Sequence, residues 1–358
     1  MPTPSSSLSP SPTAEGIDPE FVPALSAIQM VGPRLGWAVG SHAIFGTTDG
    51  AHWSKQLTST EEFVGVDFIS ASIGWAVGVR SLLQTTDGGR SWHPVGEGPK
   101  PLRSVHFVSP TEGWGIAGGG GPAMNHGWLL PSYAAVVVKT DDEGRTWSIL
   151  DSPADPEAVC FSDQTHGWVA TAGGFIYAST DGGHTWSKAL EMFQARPDVF
   201  RPTIIECAAP SALWALTTIP NAAAGHVPYV AYATQDGHSW RTVLTESYTT
   251  GNLLPGVPAG PDSYPGSLSV VDATSAVFVG DGPNTNAAVA MVASDGGRSL
   301  RRTGRIENAP ETFGAAFVSV TTGWVLTRNP GGDYIIAATT DAGYHWAQQL
   351  AVPPSSAG

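Results

Sequence analysis

Charge is scarce in this chain. Only 13% of its 358 residues are Asp, Glu, Lys or Arg, and acids outnumber bases 31 to 17, for a formal charge of −14. Such a balance disfavours nonspecific binding to a phosphate backbone, so no nucleic-acid partner is expected. A local run, Arg298, Arg301, Arg302 and Arg305, reads as a solvated strand edge. No apolar stretch is long enough to span a membrane, and no transmembrane segment is expected. The ten histidines lack His-x-His or His-Glu-x-x-His spacing, which gives no metal centre. No helix pattern follows Gly118–Gly121, so these glycines form no phosphate cradle. No Gly-x-Ser-x-Gly elbow is present. No cofactor is expected.

Glycine and proline are abundant, at 43 and 29 residues, and suit many short strands joined by turns. Tryptophan is more informative. Twelve of the 13 recur at two positions of one unit. The first opens an apolar stretch, at Trp37, Trp75, Trp114, Trp168, Trp214 and Trp324, usually after glycine. The second closes a turn, at Trp53, Trp92, Trp147, Trp186, Trp240 and Trp346. The turn reads Ser/Thr-x-Asp-x-Gly-x-Ser/Thr-Trp. Its aspartates are Asp49, Asp87, Asp142, Asp181, Asp236, Asp295 and Asp341; the copy at Asp295 has lost both tryptophans. Spacings of 38 to 59 residues mark a repeat array.

Each unit parses into four short strands, which in the second are Phe63–Ile69, Gly74–Val79, Ser81–Thr85 and Ser91–Val95. The expected fold is all-β, a seven-bladed β-propeller with four antiparallel strands per blade, over residues 21–352. Residues 1–20 read as a disordered Pro/Ser-rich tether and 353–358 as a tail. Tracts of this kind often follow an anchor or a cleaved signal, so a secreted or extracytoplasmic, tethered monomer is expected. The turn aspartates are structural: their oxygens accept backbone N–H bonds, and glycine takes angles that a Cβ resists. Aligning consecutive units puts Cys207 opposite Phe161, one residue off Cys160. Alternation then turns the two side chains to opposite faces, and two buried thiols are expected.

The turn resembles the Asp-box, or BNR repeat. The fuller unit, Gly74-Trp75-Ala76-Val77-Gly78 through Thr85-Thr86-Asp87-Gly88-Gly89-Arg90-Ser91-Trp92, is similar to the propeller family of photosystem II stability and assembly factors. That resemblance implies assembly-factor relatives without implying a photosystem partner. Asp-box propellers also include sialidases, sortilin-type receptors and xyloglucan hydrolases. Sialidases use three arginines, a tyrosine with a glutamate, and an acid aspartate; here Phe200-Arg201-Pro202-Thr203 matches their Phe/Tyr-Arg-Ile-Pro motif only in part and out of order.

Insertions at 115–134, 217–228, 281–287, 328–333, 191–202 and 245–266 all fall at the end opposite the Asp-box turns, here called the top. Varied loops on a rigid scaffold are where binding usually resides. Trp128 lies outside the repeat, near His126 and Tyr133. It reads either as an aromatic platform for a ligand or as a loop residue folded onto the blade rim. Arg80, Arg103, Arg201 and Arg328, with Asp262, Asp333 and Tyr229, form either a solvated rim or a grip for carboxylate. The expected function is a non-catalytic binding or assembly scaffold presenting its top loops to a protein or glycan. The alternative is a glycosidase or lyase acting on an anionic substrate through top-face arginines and carboxylates, and whether the chain is an enzyme stays open.

Overall fold

The computed structural model describes residues 24–96, 98–99, 101–118, 135–195, 202–219, 227–248, 251–252, 254–282 and 285–354. The expected tether at 1–20 lies outside them, as do residues 355–358 of the expected tail. Apart from one short hairpin, the strands form six antiparallel sheets stacked around a central axis.

The first sheet contains β1 (Ala27–Met30), β2 (Gly36–Thr47), β3 (Trp53–Phe68), β4 (Gly74–Gly78), β5 (Leu82–Thr85) and β6 (His93–Pro94). The second contains β7 (Leu102–Phe107), β8 (Gly113–Ala117), β9 (Val136–Thr140) and β10 (Ser148–Ile149). The third contains β11 (Pro156–Phe161), β12 (Gly167–Thr171), β13 (Phe175–Ser179) and β14 (Ser187–Glu191), and the fourth β15 (Thr203–Ala209), β16 (Ala212–Thr218), β17 (Tyr229–Thr234) and β18 (Trp240–Thr245). A hairpin of β19 (Ser247–Tyr248) and β20 (Gly251–Asn252) precedes the fifth sheet, β21 (Tyr264–Asp272), β22 (Ser275–Asp281), β23 (Ala287–Ser294) and β24 (Ser299–Glu307). The sixth is β25 (Thr312–Phe317), β26 (Gly323–Arg328), β27 (Tyr334–Thr339) and β28 (Ala347–Val352).

The expected seven-bladed β-propeller is therefore corrected to one of six blade sheets. The cause is β3. This 16-residue strand pairs with β2 through its first half and with β4 through its second. The first two repeat units, expected as separate blades, are thereby joined in one six-stranded sheet. The same sheet lends the channel two inner strands, β1 and the end of β3. The others come from β7, β11, β15, β21 and β25. Closure is direct: Leu25, Ala38 and Phe45 pack with Phe313, Trp324 and Ile336 of the last sheet, and the Trp324 indole donates to Gly50 O at 3.1 Å.

The glycine–tryptophan pairs have one packing cause. A Cβ on Gly74, Gly113, Gly167 or Gly323 would run into the ring of Phe68, Phe107, Phe161 or Phe317 on the paired strand. Each of the first three rings in turn stacks on a tryptophan of the preceding unit, Trp37, Trp75 and Trp114, at centroid distances of 3.4, 3.5 and 3.8 Å. Stacked aromatics thus carry the contacts among the first four units.

The cysteines differ from expectation. Cys160 and Cys207 form a disulfide, with Cα atoms 6.0 Å apart. Alternation does place them on opposite faces of their own sheets. But β11 and β15 belong to sheets stacked face to face, so the forward face of one meets the rear face of the other. Opposite parity brings the sulfurs together.

Candidate functional site

Antiparallel order divides the propeller into two ends. Strand-one-to-two turns and Asp-box turns share the bottom; strand-two-to-three turns and the links between sheets share the top. Bottom turns are short and internally satisfied. In the turn at Asp87, Oδ1 accepts the Ser91 N–H at 2.9 Å and Oδ2 accepts its hydroxyl at 2.7 Å. The Thr85 hydroxyl donates to Asp87 and accepts from Gly89 N–H. Gly88 and Gly89 take φ of 75° and 85° there. The Ser91 hydroxyl and amide hold the Asp87 carboxyl down to about 2, and Thr185 does the same for Asp181. Asp49, Asp142, Asp236 and Asp341 are lowered similarly by their own turns. Asp295 is the exception: its backbone carbonyl accepts from Arg298, and its φ is 54°.

The candidate residues that are described lie at the top. Trp128, His126, Tyr133 and Arg201 are outside the described residues. The rest do not converge. Arg80 is exposed, and its backbone N–H donates to Glu61 Oε1 at 2.8 Å. Arg328 pairs with Glu311 at 2.9 Å; Asp333, in the same β26–β27 turn, bonds Asn329. Tyr229 is a core residue whose hydroxyl donates to Asp262 O at 2.7 Å, and burial raises its pKa. The Asp262 carboxylate accepts Ser263 N–H.

Arg103 is different. It stands at the top end of β7, with its side chain only 1% exposed. Among the described residues, its nearest charge is Glu157 of β11, at 3.7 Å, and none of its guanidinium nitrogens has a hydrogen-bond acceptor. Burial outweighs the pull of Arg103 and raises Glu157 to about 7. A pair this loose does not offset the cost of removing both charges from water.

The channel supplies residues that sequence reasoning missed. A cavity of about 440 Å³ is walled by all the inner strands. Around it, one side chain on each of β1, β3, β7, β11, β15 and β21 reaches to the next strand. Phe68 N–H donates to Gln29 Oε1 at 2.5 Å, and Phe107 N–H to Asp67 Oδ2 at 2.6 Å. His106 Nε2 donates to Phe161 O at 2.7 Å. Cys160 bonds Cys207. Val270 N–H donates to Glu206 Oε2, and Phe317 N–H to Ser269 Oγ, both at 2.8 Å. Burial raises Asp67, and raises Glu206 to about 7. The signal was present: Gln29, Asp67, His106, Cys160 and Glu206 each fall eight residues before a first-position tryptophan.

Residues 45–192 match the family model of the photosynthesis system II assembly factor YCF48. The chain resembles that family and has its BNR-type propeller. No curated protein matches the sequence. Among solved structures, a YCF48 bound to D1 peptide is 16% identical with a TM-score of 0.57, covering 92% of this chain and 99% of that one. YCF48 from Cyanidioschyzon merolae is 15% identical, with a TM-score of 0.38 over 95% and 86%. An oligogalacturonate lyase in complex with manganese is 9% identical, with a TM-score of 0.56 over 90% and 91%. At these identities the likeness concerns the fold alone.

Proposed function

We propose that this protein is a non-catalytic scaffold that binds a protein partner at its top end, gripping a peptide carboxylate at Arg103. The observation that carries the reading is the buried Arg103 guanidinium, which has no hydrogen-bond acceptor among the described residues and stands at the top end of β7. Arginine's planar fork matches a carboxylate bidentately, and capture of a chain terminus is a recurring mode of peptide recognition. Two observations support the choice of end. The strand ends that flank the longest insertion, Ala117 of β8 and Val136 of β9, lie there, whereas the bottom aspartates are already held by their turns. The peptide-bound state of the structural neighbour is consistent with a protein partner. Among the described residues the other top arginines do not converge, so nothing specific favours a glycosidase or lyase. The disulfide supports an oxidising, extracytoplasmic location.

Short unstructured peptides ending in a free carboxylate or an amide provide the test, read by fluorescence anisotropy. The free acid should bind at least about tenfold more tightly than the amide, and Arg103→Gln, checked for an unchanged circular dichroism spectrum, should abolish the difference. Equal binding of acid and amide, or an Arg103→Gln variant that still discriminates, would overturn the reading.

A further inference from the structure

The junction between the third and fourth sheets is held differently from its neighbours. At the three preceding unit junctions, a tryptophan stacks on the phenylalanine of the next unit. The same indoles donate to the next Asp-box turn, Trp37 to Gly88 O, Trp75 to Glu143 O and Trp114 to Gly182 O. A hydrogen bond from the channel wall accompanies each. Trp168 has none of these: its indole nitrogen is buried without a partner, and Cys207 occupies the slot of the stacking phenylalanine. Facing Cys207 is Leu213, where sister units need glycine to clear a ring. The channel contact at this junction is the Cys160–Cys207 bridge itself. Apolar packing of Trp168 with Ile205 and Leu213 completes it.

We propose that this disulfide is a reducible latch, and that opening it loosens the β11–β15 seam while the rest of the ring stays closed. Both cysteines line the channel cavity, but Cys207 is half-buried whereas Cys160 is 3% exposed. A dithiol reductant entering the cavity therefore attacks the Cys207 sulfur. The S–S bond breaks, Cys160 leaves as a thiolate and takes a proton, and Cys207 is held in a mixed disulfide. The second thiol of the reductant then attacks its own disulfide-bonded sulfur. Cys207 is released as a thiol, and the reductant departs as a cyclic disulfide carrying the oxidising equivalents. Local opening follows because stability is set region by region, and reduction removes the covalent link that joins β11 to β15 at the channel.

Hydrogen–deuterium exchange of the full chain, with and without dithiothreitol, tests the latch. Amides of β11 and β15 should exchange about tenfold faster after reduction, those of β4 and β8 should change less than about twofold, and reoxidation should restore the slow rates. Cys207→Ser should show the fast pattern without reductant. The double variant Cys207→Phe with Leu213→Gly, which rebuilds the aromatic slot, should exchange slowly and ignore dithiothreitol. Two free thiols titrating in the unreduced protein, unchanged exchange at β11 and β15 on reduction, or uniform acceleration around the ring would each refute the proposal.

Discussion

At the residue scale, the indole nitrogens divide into two kinds. Trp75 Nε1 donates to Glu143 O at 3.0 Å, whereas Trp168 Nε1 is equally enclosed and has no acceptor. Replacing each by phenylalanine separates packing from hydrogen bonding. Trp75→Phe leaves a carbonyl unbonded and should cost about 1 kcal/mol more than Trp168→Phe in chemical denaturation; equal costs would remove the indole bonds from the account. Two inner-strand acids give a pH dependence of definite sign. Burial raises Glu206 from 4.5 to about 7, and Glu157 likewise. The fold holds these protons more tightly than the unfolded chain, so their contribution is full below about 4.5 and is lost as pH rises through about 7. The turn aspartates act oppositely: Asp87 and Asp181, lowered from 3.8 to about 2, contribute above 3.8 and lose it as pH falls through about 2. The melting temperature should therefore decline from pH 5 to pH 8. In Glu206→Gln, which keeps an oxygen for Val270 N–H, the decline should be shallower. An unchanged slope would show that the half-buried Glu206 carboxyl is not desolvated at the channel wall.

At the scale of the strand and sheet, much was legible in the sequence. The doubled tryptophan and the Asp-box turn located the strands of the second unit and the short bottom turns, because both recur at fixed offsets. Legibility failed where a feature depends on how sheets meet. Nothing in the run from Trp53 to Phe68 shows that one strand continues from one unit into the next, since Ser59, Thr60 and Glu61 read as a link. The cysteines failed for a related reason: parity along a strand predicts faces, and which faces stack is decided by the ring. The glycine before each tryptophan is now explained and testable. A Cβ on Gly113 would lie 2.6 Å from the Phe107 ring, so Gly113→Ala should cost about 1–3 kcal/mol in urea unfolding. A neutral substitution would mean that the ring is not fixed by its stack on Trp75.

At the scale of the whole molecule, the propeller is a ring with unlike ends. One carries repeated turns whose polar groups are satisfied internally; at the other lie the strand ends that flank the sequence insertions. The site was less legible than the fold because its parts come from strands far apart in the chain. Arg103 and Glu157 are 54 residues apart and read as unrelated charges until β7 and β11 are stacked. The channel residues Gln29, Asp67, His106, Cys160 and Glu206 differ in type, so their common offset from tryptophan carries no composition signal. The central claim, that a protein partner docks at the top end, is tested most directly by site-specific photo-crosslinking in the native host. A photoreactive residue is placed in turn at Arg80 and Arg328 of the top and at Thr165 and Gln235 of the bottom, all exposed. The account predicts protein adducts from Arg80 or Arg328 and none from Thr165 or Gln235; adducts from the bottom positions alone, or from neither end, would contradict it.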